Sequence, residues 1–593
     1  VLLVDAMIAD VDISRSDGVT PFWFGPESCR MLAWYHAPIG PKMECAVLLC
    51  PPFGHEYLVA YRGYRKLAET LAGAGFPCLF FDYDGMGDSV ESDLPRVQAW
   101  RESILAAAAE LRTASGVANL VLFGVRLGAL LAASVANEVS AAALMMLAPV
   151  VAGRAFVREQ LGFARLSPLA ISEDSRQKLT DEEVVGYPFT HQTQQDLGFL
   201  DMMKMDCTCP SFVIERDDMP GQVKKLVGAW TALGRDIHTA QVAGYAAMMT
   251  QDAHSSVPPM EIWEAILDWL RTRFARLAPA QQETVHDMPV SMQVGQRFIE
   301  EVITFNGLVG VITSPSGRLP RKTAVVLTNI GASHRVGNHL LYVRLARSLA
   351  ELGYCSIRFD RAGTGYSRPT PEGMENDVYA SSGIDDVRLA MDCLQSRCPC
   401  TQVTLAGLCS GAYFSYHAAI LDMRVKGLIL INLLTFQWHD GDSLELRIRD
   451  TNKSTDFYLR TVVEPQTWLR VLKGEVAVGR IAVALTKRLV QKLRKQFMSL
   501  LISASGKGER RGIVLQNFHH LLKRRVKVLF VFGADDASQD VVAAELGRDA
   551  TGLKSPNLVQ VDTVSWTDHT FTPLWAQAQL FSGIGQFMQK HFR

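Results

Sequence analysis

Two short runs have the spacing of a nucleophile held on a sharp turn between a strand and a helix. In Gly407-Leu408-Cys409-Ser410-Gly411 a cysteine stands between flanking glycines, and in Gly124-Val125-Arg126-Leu127-Gly128 an arginine takes its place. Glycine is needed at both flanks because a side chain two residues either side of the central position would clash with the cramped turn. A thiolate there can attack an acyl carbon, whereas a guanidinium stays protonated and electron-poor. The chain therefore reads as carrying two copies of one site, only the second of which can do covalent chemistry.

An acid and then a histidine follow each copy. Asp536 stands three residues past Gly533 at the end of an apolar run, with Asp535 as the alternative, and His569 comes next; in the first copy Asp218 is followed by His254. The chain order nucleophile, acid, histidine is that of α/β-hydrolase triads and differs from other triad folds. Cys409 is thus the expected nucleophile, His569 its ion-pair partner and later general base, and Asp536 the group that orients the imidazole. The backbone N–H of Ser410 is expected to give one oxyanion donor, and Ile330 or Gly331 the other. Arg126, Asp218 and His254 make the non-catalytic counterpart. Two roles compete for Arg126: an ion pair with Asp218 that leaves this half a scaffold, or a clamp for a substrate carboxylate or phosphate at a helix N-terminus. His334 and His339, near the oxyanion loop, read as surface or pocket-rim residues.

The elements that must position these residues also occur twice, with a period of about 280 residues that is too long for a solenoid. An apolar strand (46–50, then 324–327) leads to a loop, a helix (64–74, then 340–351), a second strand (77–81, then 355–359) and an Asp-x-x-Gly-x-Gly-x-Ser turn starting at Asp82 and at Asp360. Each elbow is followed by a further strand (142–147, then 427–431), an insertion, the acid, the histidine and a closing amphipathic helix. Strands alternating with helices predict an α/β fold: two tandem domains, 18–280 and 291–593, each a mostly parallel sheet with helices on both faces and a helical cap insertion. The unpatterned stretch 277–290, with Pro279 and Pro289, is the expected linker. The second insertion, about 435–525, is the expected lid. Its cations, among them Lys487, Arg494, Arg510, Arg511, Arg524 and Arg525, could face an acidic carrier or phosphates, or simply solvent.

Composition narrows the classes. The 593 residues are 48% hydrophobic and 20% charged, as in soluble globular proteins. A formal net charge of -1 provides no field to draw the chain to nucleic acid or a membrane surface. Eleven cysteines at irregular spacings read as reduced thiols, which points to the cytoplasm. Cys207-Thr208-Cys209 and Cys398-Pro399-Cys400 lack zinc-ligand spacing, so neither a metal nor another cofactor is expected. The start has no basic region of a signal peptide, its lack of a methionine suggests a longer reading frame, and no window reads as a membrane span.

On these residues both halves resemble α/β-hydrolases of the serine-aminopeptidase-like group. The first resembles the exosortase A system-associated hydrolase 2 type in Gly124-Val125-Arg126-Leu127-Gly128-Ala129-Leu130, Val185-Gly186-Tyr187-Pro188 and Asp252-Ala253-His254. The second resembles the hydrolase 1 type in Arg335-Val336-Gly337-Asn338, 341–347 and Gly407-Leu408-Cys409. The resemblance implies the fold and an acyl chemistry. Because two separate patterns stand in one chain, it does not fix the substrate. An acyl-cysteine is itself a thioester, nearly isoenergetic with an acyl group on a carrier protein or coenzyme A, and so is suited to passing that group on. The expected function is therefore acyl transfer or thioester hydrolysis in a biosynthetic pathway. A carboxylesterase or lactone hydrolase is the enzyme alternative, a scaffold or binding protein the other, and the oligomeric state stays open.

Overall fold

The computed structural model describes residues 18–27, 29–166, 182–250, 252–277, 288–439, 442 and 512–593. It forms two compact units, Val1–Cys400 and Thr401–Arg593. The first unit opens with an eight-stranded sheet of β1 (Val19–Phe24), β2 (Met31–His36), β3 (Cys45–Cys50), β4 (Cys78–Phe81), β5 (Asn119–Val125), β6 (Ala143–Leu147), β9 (Ser211–Glu215) and β10 (Ile237–Gln241). Its order is β1-β2-β4-β3-β5-β6-β9-β10. The β1–β2 and β2–β4 pairs are antiparallel and the remaining pairs parallel. A small hairpin, β7 (Glu183–Val184) and β8 (Tyr187–Pro188), lies in the first insertion. Strands such as β3, all six residues of which are buried, are continuous apolar runs because helices cover them. The helices of this region are α1 (His55–Gly73), α2 (Arg96–Ser115), α3 (Leu127–Val135), α4 (Gly153–Leu166), α5 (His191–Phe199), α6 (Lys224–Ala232) and α7 (Met260–Arg273).

The same unit continues through β11 (Ser291–Val294), β12 (Phe298–Phe305), β13 (Leu308–Pro315), β14 (Thr323–Thr328) and β15 (Ser356–Asp360), ordered β11-β12-β13-β15-β14, with helices α8 (Leu341–Glu351) and α9 (Gly383–Arg397). The second unit holds β16 (Gln402–Leu408), β17 (Val425–Ile431), β18 (Lys527–Gly533) and β19 (Val559–Val564), all parallel. Its helices are α10 (Ser410–Leu421), α11 (Ile513–Lys523), α12 (Ser538–Leu546) and α13 (Leu574–His591). The first sheet's order thus returns in two pieces, β1-β2-β4-β3 as β12-β13-β15-β14 and β5-β6-β9-β10 as β16-β17-β18-β19. The chain is α/β, with two sheet-bearing regions that are mostly parallel.

Three expectations change. Helix α1 begins at His55 and not at residue 64, because Gly63, poor in helix propensity, is kept for packing: a Cβ there would lie 2.6 Å from Met248 Sδ. His334 and His339 are buried, 2% and 5% exposed, and not on a surface or rim. Most of the expected lid, with its cations up to Arg511, lies outside the described residues. Arg524 donates to the carbonyls of Ala419 (2.8 Å), Ile420 and Asp422, so this cation caps the C-terminal end of α10.

Repetition extends to single atoms. Gly87 and Gly365 are obligatory, since a Cβ on either would fall within 2.2 Å of the carboxylate of Asp82 or Asp360. Those carboxylates accept from the next backbone N–H, Asp88 at 2.9 Å and Tyr366 at 3.0 Å, and Ser89 and Ser367 donate back to the aspartate carbonyls. Around the two turns lies a buried charge cluster. Arg335 pairs with Asp88 (2.6 Å) and Asp360 (3.1 Å), Arg358 with Asp88 (3.1 Å) and Glu300 (2.8 Å), and Arg347 with Glu300 (2.8 Å). The cluster binds residues 291–400 to the first sheet within the compact unit Val1–Cys400. Burial works to raise Asp88, but Arg335 and Arg358 outweigh it and hold the carboxyl below its usual range. Its contribution to stability is then present above the ordinary carboxylate range and is lost as pH falls through the depressed value. Arg335→Ala, which takes the ion pair from buried Asp360 and leaves Asp88 to Arg358 alone, is expected to lower the unfolding free energy by about 3–5 kcal/mol in urea titration. A loss below about 1 kcal/mol would mean that the pairs are solvent-screened.

Candidate active site

Strand β16 delivers Cys409, and helix α10 starts at the next residue. The cysteine backbone sits at φ 58°, ψ -118°, a region L-residues avoid, and is anchored by its N–H to the Ile431 carbonyl at 3.0 Å. Arg126 has the same conformation, φ 54°, ψ -118°, with its N–H on the Leu147 carbonyl at 3.1 Å. A Cβ on Gly407 would fall 2.2 Å from the backbone of Gly411, and one on Gly124 2.4 Å from that of Ala129. Both runs are therefore elbows in fact, the second carrying a thiol and the first a guanidinium.

In the second unit Cys409, 9% exposed, stands beside His569. His569 Nδ1 lies 2.8 Å from Asp536 Oδ2, while Nε2 has no hydrogen-bond partner within ordinary geometry among the described residues. Desolvation disfavours a charged His569, but the Asp536 carboxylate and then the Cys409 sulfur push the imidazole well above its usual range. Burial would raise Asp536, yet His569 and the N–H of Ser538 hold it low. Asp536, not its neighbour Asp535, is the partner of the histidine. Asp568 shapes the histidine loop by accepting from Thr572 N (2.7 Å) and Thr572 Oγ1 (2.6 Å). Ser410 begins α10 in this unit, whereas Ile330 and Gly331 follow β14 in the first.

Sequence reading missed Asn432. It follows β17 at φ 42°, fully buried, in a left-handed conformation that asparagine tolerates better than most residues. Its Nδ2 donates to the His569 carbonyl at 2.8 Å, and its Oδ1 accepts from Gly533 N at 2.9 Å and Ser538 Oγ at 3.3 Å. One amide thus ties the strand that carries the acid to the loop that carries the histidine. A polar residue closing an apolar strand was the only available signal.

The first elbow departs from expectation. Arg126, 3% exposed, pairs with Glu56 at 2.9 Å and Glu159 at 2.5 Å, not with Asp218. Asp218 is held by Arg216 at 2.6 Å. His254 lies in a short turn, Ala253–Ser255, and hydrogen-bonds neither Asp218 nor any other described residue. The acid chosen by chain order is captured by a guanidinium two residues away, and the helix start supplies Glu56 instead. Burial raises Glu56, with Arg126 opposing. A guanidinium already matched by two carboxylates has little charge left for an anionic substrate, which weakens the clamp reading.

No protein-family model matches the chain. It is 30% identical over 107 residues to the uncharacterized protein YcjY of Escherichia coli K12, 18% of this chain and 33% of that protein, so the match spans about a third of the relative's length. Structures it resembles include an α/β serine hydrolase without lid from Xanthomonas campestris (13% identity, 44% of this chain and 99% of that one, TM-score 0.31). Ferulic acid-bound Est1E from Butyrivibrio proteoclasticus matches at 15% identity over 42% of this chain and 98% of that one, TM-score 0.33. A proline iminopeptidase of Mycobacterium smegmatis matches at 14% over 43% and 98%, TM-score 0.30.

Two outcomes follow from the geometry. Asp536 and Cys409 both raise His569, so its ring should titrate lower by NMR in Cys409→Ala than in the parent protein. The stabilisation from charged His569 is full below the ordinary imidazole range and is lost as pH rises through the raised value. Arg126→Ala should reduce thermal stability, since it unpairs Glu56 and Glu159, without restoring a nucleophile or altering turnover per folded molecule. Collapse of turnover with the fold intact would reject the scaffold role.

Proposed function

We propose that the chain is a cysteine-dependent acyl-thioester-processing enzyme, an acyltransferase or thioesterase that works through an acyl-Cys409 intermediate. The observation that carries this reading is the strained Cys409 at the start of α10 beside an imidazole that Asp536 holds by Nδ1 at 2.8 Å. The helix N-terminus turns its partial positive charge toward the sulfur, and His569 stands beside it as the proton carrier. In the proposed cycle Cys409 Sγ attacks the thioester carbonyl carbon, and the negative charge passes to the carbonyl oxygen. The tetrahedral adduct collapses, the carbon–sulfur bond to the carrier or coenzyme A breaks, and His569 protonates the departing thiolate. His569, now neutral, takes a proton from an amine, alcohol or water as that acceptor attacks the acyl-enzyme, and Cys409 leaves as thiolate. Ser410 N–H is the proposed first oxyanion donor, and Ile330 or Gly331 remains the proposed second. Residues 18–280, with Arg126 at the elbow, would be the non-catalytic domain, and 291–593 the catalytic one.

A biosynthetic setting in the cytoplasm accords with the reduced-thiol composition and with the exosortase-associated resemblance. Among the described residues no helix is long and apolar enough to cross a membrane.

Intact-mass measurement after incubation with acyl-coenzyme A thioesters tests the reading. The expected result is one acyl adduct per chain, absent from Cys409→Ala. Release of product only when an amine or alcohol is present would assign transfer, and release in water alone would assign hydrolysis. Turnover by Cys409→Ala at the parental rate would reject the mechanism. His569→Ala should lower kcat by about 100-fold or more, the scale of a lost general base.

A further inference from the structure

The two Asp-x-x-Gly-x-Gly-x-Ser turns are equivalent position by position, and the residue after the second glycine is Asp88 in one and Tyr366 in the other. Both side chains cross to the opposite half. Tyr366 stacks on Trp34 of β2 with ring centroids 3.8 Å apart, and its hydroxyl lies 3.1 Å from His36 Nε2. Asp88 enters residues 291–400 and pairs with Arg335 (2.6 Å) and Arg358 (3.1 Å).

The helices reciprocate in the same way. From α1, Arg62, Arg65 and Lys66 reach Glu375 in the loop after the Tyr366 turn, at 2.9, 2.8 and 3.0 Å. From its counterpart α8, Arg347 donates to the carbonyls of Asp88 (2.5 Å) and Ser89 (3.4 Å) in the other turn. Turn meets the opposite half in both directions, and α1 reaches the loop past one turn while α8 reaches the other turn, the arrangement of two subunits related by an approximate two-fold axis.

The Asp88/Tyr366 difference makes that contact selective. In a pairing of two second halves, tyrosine would occupy the place of Asp88, and Arg335 and Arg358 would lose the carboxylate they share. In a pairing of two first halves, Asp88 would be driven against Trp34 and His36, where the nearby guanidinium, Arg65, is already paired with Glu69. Two second halves would leave Arg335, Arg347 and Arg358 sharing only Asp360 and Glu300, an excess of buried positive charge of the kind that rejects a wrong partner.

We propose that the face of residues 291–400 carrying Arg335, Arg358 and Tyr366 is a subunit-type interface. The partner it fits is an α/β-fold domain with aspartate after the second turn glycine, a role filled here by residues 18–280 of the same chain. On this view the covalent link is dispensable and the chain is a fused heterodimer. The inference is independent of the acyl chemistry assigned to Cys409.

The test uses the full chain with a Gly-Ser-flanked protease site inserted within 279–287, cleaved after folding. Native mass spectrometry and gel filtration should show the two fragments as one 1:1 species at the mass of the intact chain, persisting on dilution to nanomolar concentration. Fragments that separate at micromolar concentration, or pair with their own kind, would overturn the proposal. Asp88→Asn should weaken association of the cleaved chain by 100-fold or more. Should that variant not fold, Tyr366→Ala removes the stack without stranding a charge and should weaken association at least tenfold. Glu375→Gln, at the rim, should change it less than Tyr366→Ala does. Cleaved Tyr366→Ala as tightly associated as the parent would also reject the interface.

Discussion

The elbow imposes the constraint on which the rest depends. A residue at φ near 55°, ψ near -118° occurs at Cys409 and at Arg126, and backbone strain of that sort costs on the order of 1–3 kcal/mol. It persists only where neighbours leave the chain no alternative. A buried strand delivers the residue, a carbonyl of the adjacent strand holds its N–H, and glycines on both sides admit the helix backbone at distances no Cβ allows. These features place a side chain at the end of a parallel strand and the start of a helix, whatever that side chain is. Cysteine there stands beside a histidine; arginine is met by two carboxylates.

Electrostatics does a second kind of work. Asp88, Asp360 and Glu300 with Arg335, Arg358 and Arg347 make a buried network in which each charge relies on another. Such a network adds little net stability over an apolar core, but loss of one member is costly because its partners stay buried and unpaired. What it supplies is specificity of packing, and it binds residues 291–400 to the first sheet. The Asp536–His569 pair uses the same physics on a smaller scale, with Asn432 holding the two segments together from below.

Much of the fold was legible because its signals are local. Apolar runs marked the strands, the duplicated Asp-x-x-Gly-x-Gly-x-Ser turn marked the repeat, and glycine spacing marked both elbows. Asp536 stands three residues past Gly533, the spacing that marks the acid, and it is the carboxylate that meets His569. Failures came where partners are distant in sequence or chosen by competition. Asp218 was expected to meet Arg126, but Arg216 is nearer along the chain and takes it, leaving Glu56 and Glu159 to the elbow. His334 is of a type often found exposed, yet it stacks on Tyr61 at 3.8 Å and is held neutral by burial and by Arg335, its pKa lowered to about 3.

The sequence by itself determined the α/β class, the duplication, the contrast between Cys409 and Arg126, and the order in which acid and histidine follow. These depend on residue type and short spacing, which backbone sterics and hydrophobic periodicity read directly. Tertiary structure alone decided which carboxylate pairs with Arg126, that Asn432 joins the acid and histidine segments, and that Asp88 and Tyr366 cross between the halves. Each of those outcomes rests on distances of a few ångströms between segments tens to hundreds of residues apart, and burial, which turns such a distance into an energy, does not exist until the chain has folded.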